Sequence, residues 1–281
     1  MVMKDRRAET LGSIQVAINI WEQTVIPMVL SGAESWITIS NKTMDQLDKL
    51  NNQFLKSILG MGKHGCPIVL LYLETGTPTM FNRILELKLM FLYHLATLPE
   101  TSLGREFYEI QNTNSFPSIV TLCKEYLDRW EVGDIRNYTK AQFKRMIKKK
   151  MLAQNFEDLS DRAKGLKKVN IVNYDKSEFK LKDYFKSLNL HSSRIIFRRN
   201  SHMLKTVRTN FKSDKKYKAE GFLCPDCLTL DPPVSHQDTQ EALATCQGNS
   251  DLRHGLDLSQ LKQEADFYQS IITRRTQKFG G

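Results

Sequence analysis

No apolar run in this sequence approaches the ~18 residues that a membrane-spanning helix needs, so no such span is expected. The amino end, MVMKDRRAET, turns polar at once and carries no apolar core of the secretory type; export is not expected, and the chain reads as intracellular. Cysteine is scarce and odd in number. Of the five, Cys66 and Cys123 stand alone while Cys224, Cys227 and Cys246 cluster, a pattern that in an intracellular chain points to metal or free thiols before disulfides. A phosphate-cradling loop is missing too, because GMGKHG (60–65) lacks the Gly-Lys-Ser/Thr ending and follows a helical pattern instead of a strand. There is no internal repeat, no sustained strand-type alternation, and no Ser/His/Asp or Cys/His nucleophile arrangement with local support.

What is present has the composition of an ordinary globular chain. At 281 residues, 41% hydrophobic and 26% charged, with a mean hydropathy of −0.41, it can hold two modest domains or one large one. Leu11, Ile14, Ile18, Trp21 and Val25 recur at three and four residues and predict a helix that Pro27 interrupts or kinks. Thr43 and Gln46 form a capping box for a second helix through Leu47, Leu50, Phe54 and Ile58, which Gly60 and Gly62 stop. PTMFNRILELKLMFLYHLATLP is apolar on nearly every side and predicts a central buried helix. His94 on that helix reads as a packed histidine, His64 as a loop residue, and Cys66 and Cys123 as buried thiols. The fold class is therefore mainly α.

The net charge of +10 is concentrated. From Lys140 to Lys218 there are 23 Lys/Arg against 7 Asp/Glu, a local +16, and the rest of the chain, with 18 basic and 24 acidic residues, sums to −6. Within this region Phe143, Ile147 and Leu152 alternate with Lys140, Lys144, Arg145 and Lys148 as on an amphipathic basic helix. In SSRIIFRRNSHMLKTVRTNFKS, Arg194, Arg198, Lys205 and Arg208 fall nearly opposite Ile196, Met203 and Val207. Such a face is either a solvated side of a core helix or a surface for a polyanion.

Cys224-Pro-Asp-Cys227 turns tightly enough to offer two thiolates to one metal ion, and Cys246 supplies a third. A closed structural zinc site takes four nitrogen or sulfur ligands. Pro232 and Pro233 favour a loop between the second and third cysteines.

Several stretches also resemble one family. IWEQTVIPMVLSGAESW (20–36), LDKLNNQFLKSILG (47–60) and LYLETGTPTMFNRI (71–84) are similar to the region after the catalytic palm in reverse transcriptases of non-LTR (LINE-like) retrotransposons. CPDC, DTQEALATC and LRHGLDL resemble the C-terminal Cys-Cys-His-Cys knuckle of the same proteins, whose usual form ends Asp-Thr-Gln-Glu-His-Leu-x-x-Cys. The resemblance runs in collinear order over almost the whole chain. It implies a thumb-like helical domain at 1–110, a basic helical linker region at 111–218, and a zinc-knuckle-like segment with a C-terminal helix at 219–281.

The resemblance implies binding to RNA and DNA, as template-primer or target site, mainly through phosphates, and a nuclear location for a functional protein. The residues assigned to phosphate binding are Lys144, Lys148, Arg194, Arg198, Arg199, Lys205 and Arg208, with the 194–208 helix ranked first because guanidinium suits bidentate recognition of phosphate. No catalytic residue is assigned. Polymerase chemistry needs paired carboxylates for two metal ions, which the family supplies from a Tyr-x-Asp-Asp turn, and no Asp-Asp pair occurs in this sequence. An endonuclease Pro-Asp element after Cys246 is likewise missing. The family's histidine position is occupied by Ala242, which cannot bind zinc. His236 keeps the Cys-Cys-His-Cys ligand order and is preferred as fourth ligand, giving the set Cys224, Cys227, His236 and Cys246; His254 is the other candidate, and a decayed site that holds no metal well is the third outcome. Two further readings compete with nucleic-acid binding: a helical scaffold for an acidic protein partner, and a truncated relic without activity.

Overall fold

The computed structural model describes residues 13–61, 66–113, 118–164, 179–201, 204, 223, 224, 226, 227, 230 and 240–279. Among these the chain is mainly helical and has no β-strand, as the 3.6-residue spacing predicted. None of the described helices is long and apolar enough to cross a membrane. The chain divides into two compact units, one built from 18–57 and 68–181, the other from residues up to 17, 58–67 and 182 onwards.

The helices that carry the larger unit, with residues up to 17 and 58–67 counted to the other, show why they begin and end where they do. Helix α1 (Ile14–Ile20) leads into a π-helical stretch, Trp21–Val25, and then α2 (Ile26–Val29), in which Pro27 occupies the first turn. The predicted interruption at Pro27 takes this form. The hydrogen-bond ladder widens so that Ile26 N–H reaches Trp21 O, one residue ahead of the position where proline has no N–H to give. Helix α3 (Asn41–Ile58) starts three residues earlier than Thr43–Gln46 suggested, because Ser40 is the cap: its Oγ accepts from Thr43 N–H at 3.1 Å, and its carbonyl accepts from Met44 N–H. At the other end Gly60 adopts φ +64, the left-handed geometry that closes a helix at little cost only with glycine.

Two apolar clusters hold this unit together. In the first, Trp21, Ile26, Leu30 and Ala33 pack with Met80 and Ile84. Trp21 stacks on Phe54 with centroids 4.1 Å apart, and its Nε1–H donates to Asn51 Oδ1 at 2.9 Å, while Asn51 Nδ2 donates to the Tyr72 hydroxyl at 3.1 Å. Asn51 is fully buried, so both halves of its amide must be satisfied within the protein, and they are. Burial pushes the Tyr72 phenol up to about 12.

The second cluster is built around the predicted central helix, α5 (Met80–Ala96), which follows α4 (Ile68–Thr75) and is capped by Thr79 Oγ1 accepting from Asn82 N–H. Leu85, Leu89, Leu92, Tyr93 and Ala96 pack with Ile119, Val120, Cys123 and Leu127 of α7 (Ile119–Arg129) and with Phe143, Ile147 and Met151 of α8 (Lys140–Lys164). Helix α6 (Leu103–Thr113) also packs on α5. Met151, at the i+4 spacing from Phe143 and Ile147, takes the buried position that Leu152 was expected to hold. Two residues of α5 depart from expectation: Phe81 is 44% exposed, and His94 faces solvent instead of packing. Cys66 and Cys123 are buried thiols as expected, and burial pushes the Cys123 thiol up to about 12.

The smaller unit contains α9 (Tyr184–Ser187), α10 (Leu190–Asn200), α11 (Gln240–Leu243), α12 (Ser250–Arg253) and α13 (Leu261–Phe279). Helix α10 packs on α13, burying Ser192, Ile195, Ile196 and Phe197 on one side and Ala265, Phe267, Tyr268 and Ile271 on the other, with His191 and Gln269 hydrogen-bonded at 2.9 Å. Gly255, at φ +77, turns the chain before α13.

Phe143 is fully buried and stacks on Tyr93 at 4.8 Å. Truncation to alanine removes the ring from a close-packed cluster, and Phe143→Ala is expected to cost about 3–5 kcal/mol. All three tryptophans, Trp21, Trp36 and Trp130, lie in the larger unit, so urea unfolding followed by tryptophan fluorescence reads that unit. A loss below about 1 kcal/mol, the scale of a surface change, would remove Phe143 from the core.

Candidate metal centre

The three cysteines singled out by spacing converge. Cys246 Sγ lies 3.2 Å from Cys227 Sγ and 3.5 Å from Cys224 Sγ, and all three thiols are buried, at 0%, 0% and 3% exposure for Cys224, Cys227 and Cys246. They are close enough together to bind one metal ion. A tetrahedral ion with metal–sulfur bonds of about 2.3 Å sets its sulfurs about 3.8 Å apart, so the two separations from Cys246 would widen by roughly 0.3 and 0.6 Å to accept one. Burial, followed by the hydrogen bonds from Cys227 and Cys224, holds the Cys246 thiol far above its ordinary range.

Local chain geometry makes this convergence possible. Cys246 ends the turn after α11 and opens a 3₁₀ turn, Gln247–Asn249, which brings Gly248 against the Cys-Pro-Asp-Cys turn. Gly248 N–H donates to Cys227 Sγ at 3.2 Å. A Cβ at position 248 would lie 2.4 Å from the Asp226 carbonyl carbon and 2.7 Å from Cys227 N, so only glycine lets the two turns approach this closely. Arg253 donates to the carbonyls of Ala244 and Cys246 at 2.8 and 2.7 Å and braces the turn between them.

A buried ion pair adjoins the thiols. Arg275 of α13 donates through Nε and Nη2 to Asp226 Oδ2 at 2.9 and 2.7 Å, and its Nη2 also lies 3.6 Å from Cys224 Sγ. Both side chains are nearly inaccessible, at 6% and 2%. Sequence reading missed Arg275, Asp226 and Gly248. The first two are 49 residues apart without a motif between them, and the one available signal was an acidic residue enclosed in a Cys-x-x-Cys turn, where burial demands a cation.

Of the predicted ligands, His236 lies outside the described residues. His254 is exposed and does not join the thiol cluster, and Ala242 sits on α11 with its methyl half-buried.

The predicted phosphate-binding residues separate into four groups. Lys144 and Lys148 are exposed on α8, in line with Lys140, and none of the three has an ion-pair partner among the described residues. Arg194 and Arg198 are turned inward. Arg194 Nε donates to Ile58 O at 3.0 Å and Arg198 Nη2 to Gly60 O at 2.7 Å, which satisfies carbonyls at the end of α3. Burial, and then the charge of Arg194, lowers the Arg198 pKa. Arg199 pairs with Glu264 at 3.2 Å. Lys205 and Arg208, with Met203 and Val207 of the predicted apolar side, lie outside the described residues; α10 itself closes at Asn200.

Comparison of the chain with models of protein families, with curated proteins and with solved structures returns no match.

The close approach at Gly248 yields a direct test. Gly248→Ala is expected to separate the two turns and expose the thiols, so that Cys224, Cys227 and Cys246 are alkylated faster under native, reducing, metal-free conditions while Cys66 and Cys123 keep their rates. Mass spectrometry of the labelled peptides reads each cysteine, and an unchanged rate at all three would show that the turns do not meet as described.

Proposed function

We propose that this chain is a nucleic-acid-binding C-terminal portion of a non-LTR retrotransposon reverse transcriptase, that it grips template-primer or target DNA through phosphates without a polymerase site of its own, and that its three-cysteine centre holds zinc. The observation that carries the nucleic-acid reading is the stripe Lys140, Lys144 and Lys148, exposed at successive turns of α8 and unpaired among the described residues, with Arg145 and Lys149 exposed beside it. The opposite side of the same helix is anchored by Phe143, Ile147 and Met151 in the core, so the ammonium groups stand on a rigid support. Lysines of this kind position a phosphate backbone and read no sequence. The inward arginines of α10 support a narrower surface than the local charge suggested.

Zinc is supported by the donor set. Soft, buried thiols in a Cys-x-x-Cys turn plus a third cysteine suit zinc over calcium or magnesium, which take oxygen ligands. When bound, zinc would fasten the two cysteine turns into one folded piece, supplying stability instead of chemistry.

Binding to duplex DNA is expected to weaken steeply with salt. Changing Lys140, Lys144 and Lys148 together to alanine should lower the slope of log affinity against log salt by roughly 0.9 for each phosphate that the variant no longer neutralises. The substitutions are on exposed positions and should leave the circular dichroism unchanged. An unchanged slope would place the binding surface elsewhere, and competition by polyglutamate as strong as that by DNA or RNA would favour an acidic protein partner.

The wild-type chain is expected to hold about one zinc, as a single site of this kind requires. Cys246→Ser should lose it. His236→Ala should release the metal where His236 is the fourth ligand; retained zinc in His236→Ala, with tighter binding in Ala242→His, would assign the fourth position to water. Metal analysis after dialysis measures all four proteins.

A further inference from the structure

The C-terminal helix α13 does more than pack against α10. Its Arg275 reaches into the Cys224–Cys227 turn, where Asp226 holds the guanidinium by two hydrogen bonds and leaves Nη2 3.6 Å from Cys224 Sγ. We propose that Arg275 is a positioning residue of the metal centre, which fixes the Cys224 thiolate for the ion and offsets part of its charge. The proposal rests on the zinc reading above.

Charge and solvation carry the argument. Three thiolates around one divalent ion leave a net negative charge in a pocket that water does not reach, and a buried charge of that kind requires hydrogen-bond donors. Two donors reach the sulfurs here. Gly248 N–H serves Cys227 and the Arg275 guanidinium serves Cys224, so two adjacent ligands are each oriented from outside the ion's own shell. Asp226 gives the guanidinium its direction. It is one residue before Cys227, its side chain is 2% exposed, and Nε–H and Nη2–H of the guanidinium converge on its Oδ2, which sets the direction in which the remaining N–H groups point. A lysine would bring the charge without that fork.

The arrangement also links distant parts of the smaller unit. Arg274, the neighbour of Arg275, donates to Gly248 O at 3.1 Å and pairs with Asp251, so consecutive residues of α13 hold both turns that carry the cysteines. The metal centre therefore includes a helix that begins 15 residues after its last cysteine.

The test uses the full chain. Zinc affinity is measured by competition with a chromophoric chelator, and the geometry at sulfur by the thiolate-to-cobalt charge-transfer absorption of the Co²⁺-loaded protein. Arg275→Gln is expected to weaken zinc by about 10–100-fold and to alter the cobalt spectrum, with Arg275→Lys between it and the wild type. Lys262→Gln, which removes an exposed positive charge from the same helix, should change neither. The double variant Asp226→Asn with Arg275→Gln separates positioning from bulk structure, because two facing amides relieve the unpaired buried charge that either single change leaves. Restored stability with zinc still weak supports positioning. Restored stability together with wild-type affinity and spectrum means that the pair only supports the fold, and overturns the proposal. Wild-type affinity in Arg275→Gln overturns it alone, whereas a wild-type chain that takes up neither zinc nor cobalt under reducing conditions overturns the zinc reading and this proposal together.

Discussion

A helix that is apolar on nearly every side must be covered on nearly every side, and α5 imposes that requirement on the larger unit. Its buried residues run from Met80 to Ala96, and they include three polar ones, Asn82, Arg83 and Lys88. Each of these needs a partner or a route to water. Asn82 donates to Asn155 Oδ1 of α8 at 2.6 Å, Arg83 is clasped by Glu22 in the π-helical stretch, and Tyr93, stacked on Phe143, donates its hydroxyl to Tyr138 O at 2.8 Å. The elements around α5 are thus chosen as much by its polar residues as by its leucines. The lysine stripe of α8 owes its position to the same packing, since Phe143 and Ile147 can be buried on α5 only if Lys144 and Lys148 face away.

Mainly helical architecture was legible because it depends on local periodicity, and local periodicity is all that a single sequence displays. The stop at Gly60 was legible for a related reason: a left-handed residue after a helix is costly for any side chain, so glycine there carries information. Where two residues of one type competed for a role, the pattern failed. Ser40 and Thr43 both offer a capping hydroxyl, and Met151 and Leu152 both offer an apolar side chain; tertiary packing made the choice in each case. His94 was read from the apolar character of its neighbours, yet on a helix a one-residue step turns the side chain by about 100°.

The cysteine cluster was legible because Cys-x-x-Cys constrains its own geometry. What surrounds it was not. Asp226 sits inside the motif and Arg275 nearly at the end of the chain, and a pairing between them becomes visible only when α13 folds back. Gly248 gave a signal of the weaker kind, a glycine two residues past a cysteine, whose reason is the backbone of Asp226 passing 2.4 Å from where a Cβ would be.

The charge distribution was the least informative signal about where each side chain would lie, and the cause is the difference between arginine and lysine. Counting both as +1 treats the basic region as one surface, yet the described arginines are repeatedly engaged by backbone carbonyls. Arg105 donates to Ala96 O at the end of α5, Arg194 and Arg198 to Ile58 O and Gly60 O at the end of α3, Arg253 to Ala244 O and Cys246 O after α11, and Arg274 to Gly248 O. Helix ends leave carbonyls without donors and carry partial negative charge, so a planar cation with five N–H groups is well matched to them. Lysine has a compact and strongly hydrated ammonium with less to gain from burial, and Lys140, Lys144 and Lys148 stay exposed along α8, although Lys150 Nζ donates to Trp130 O at 3.0 Å. Within the basic region the described arginines therefore divide: Arg194 and Arg198 are taken up by carbonyls and Arg199 by Glu264, while Arg145 stays exposed beside the lysines of α8, a division that the count of +16 could not show.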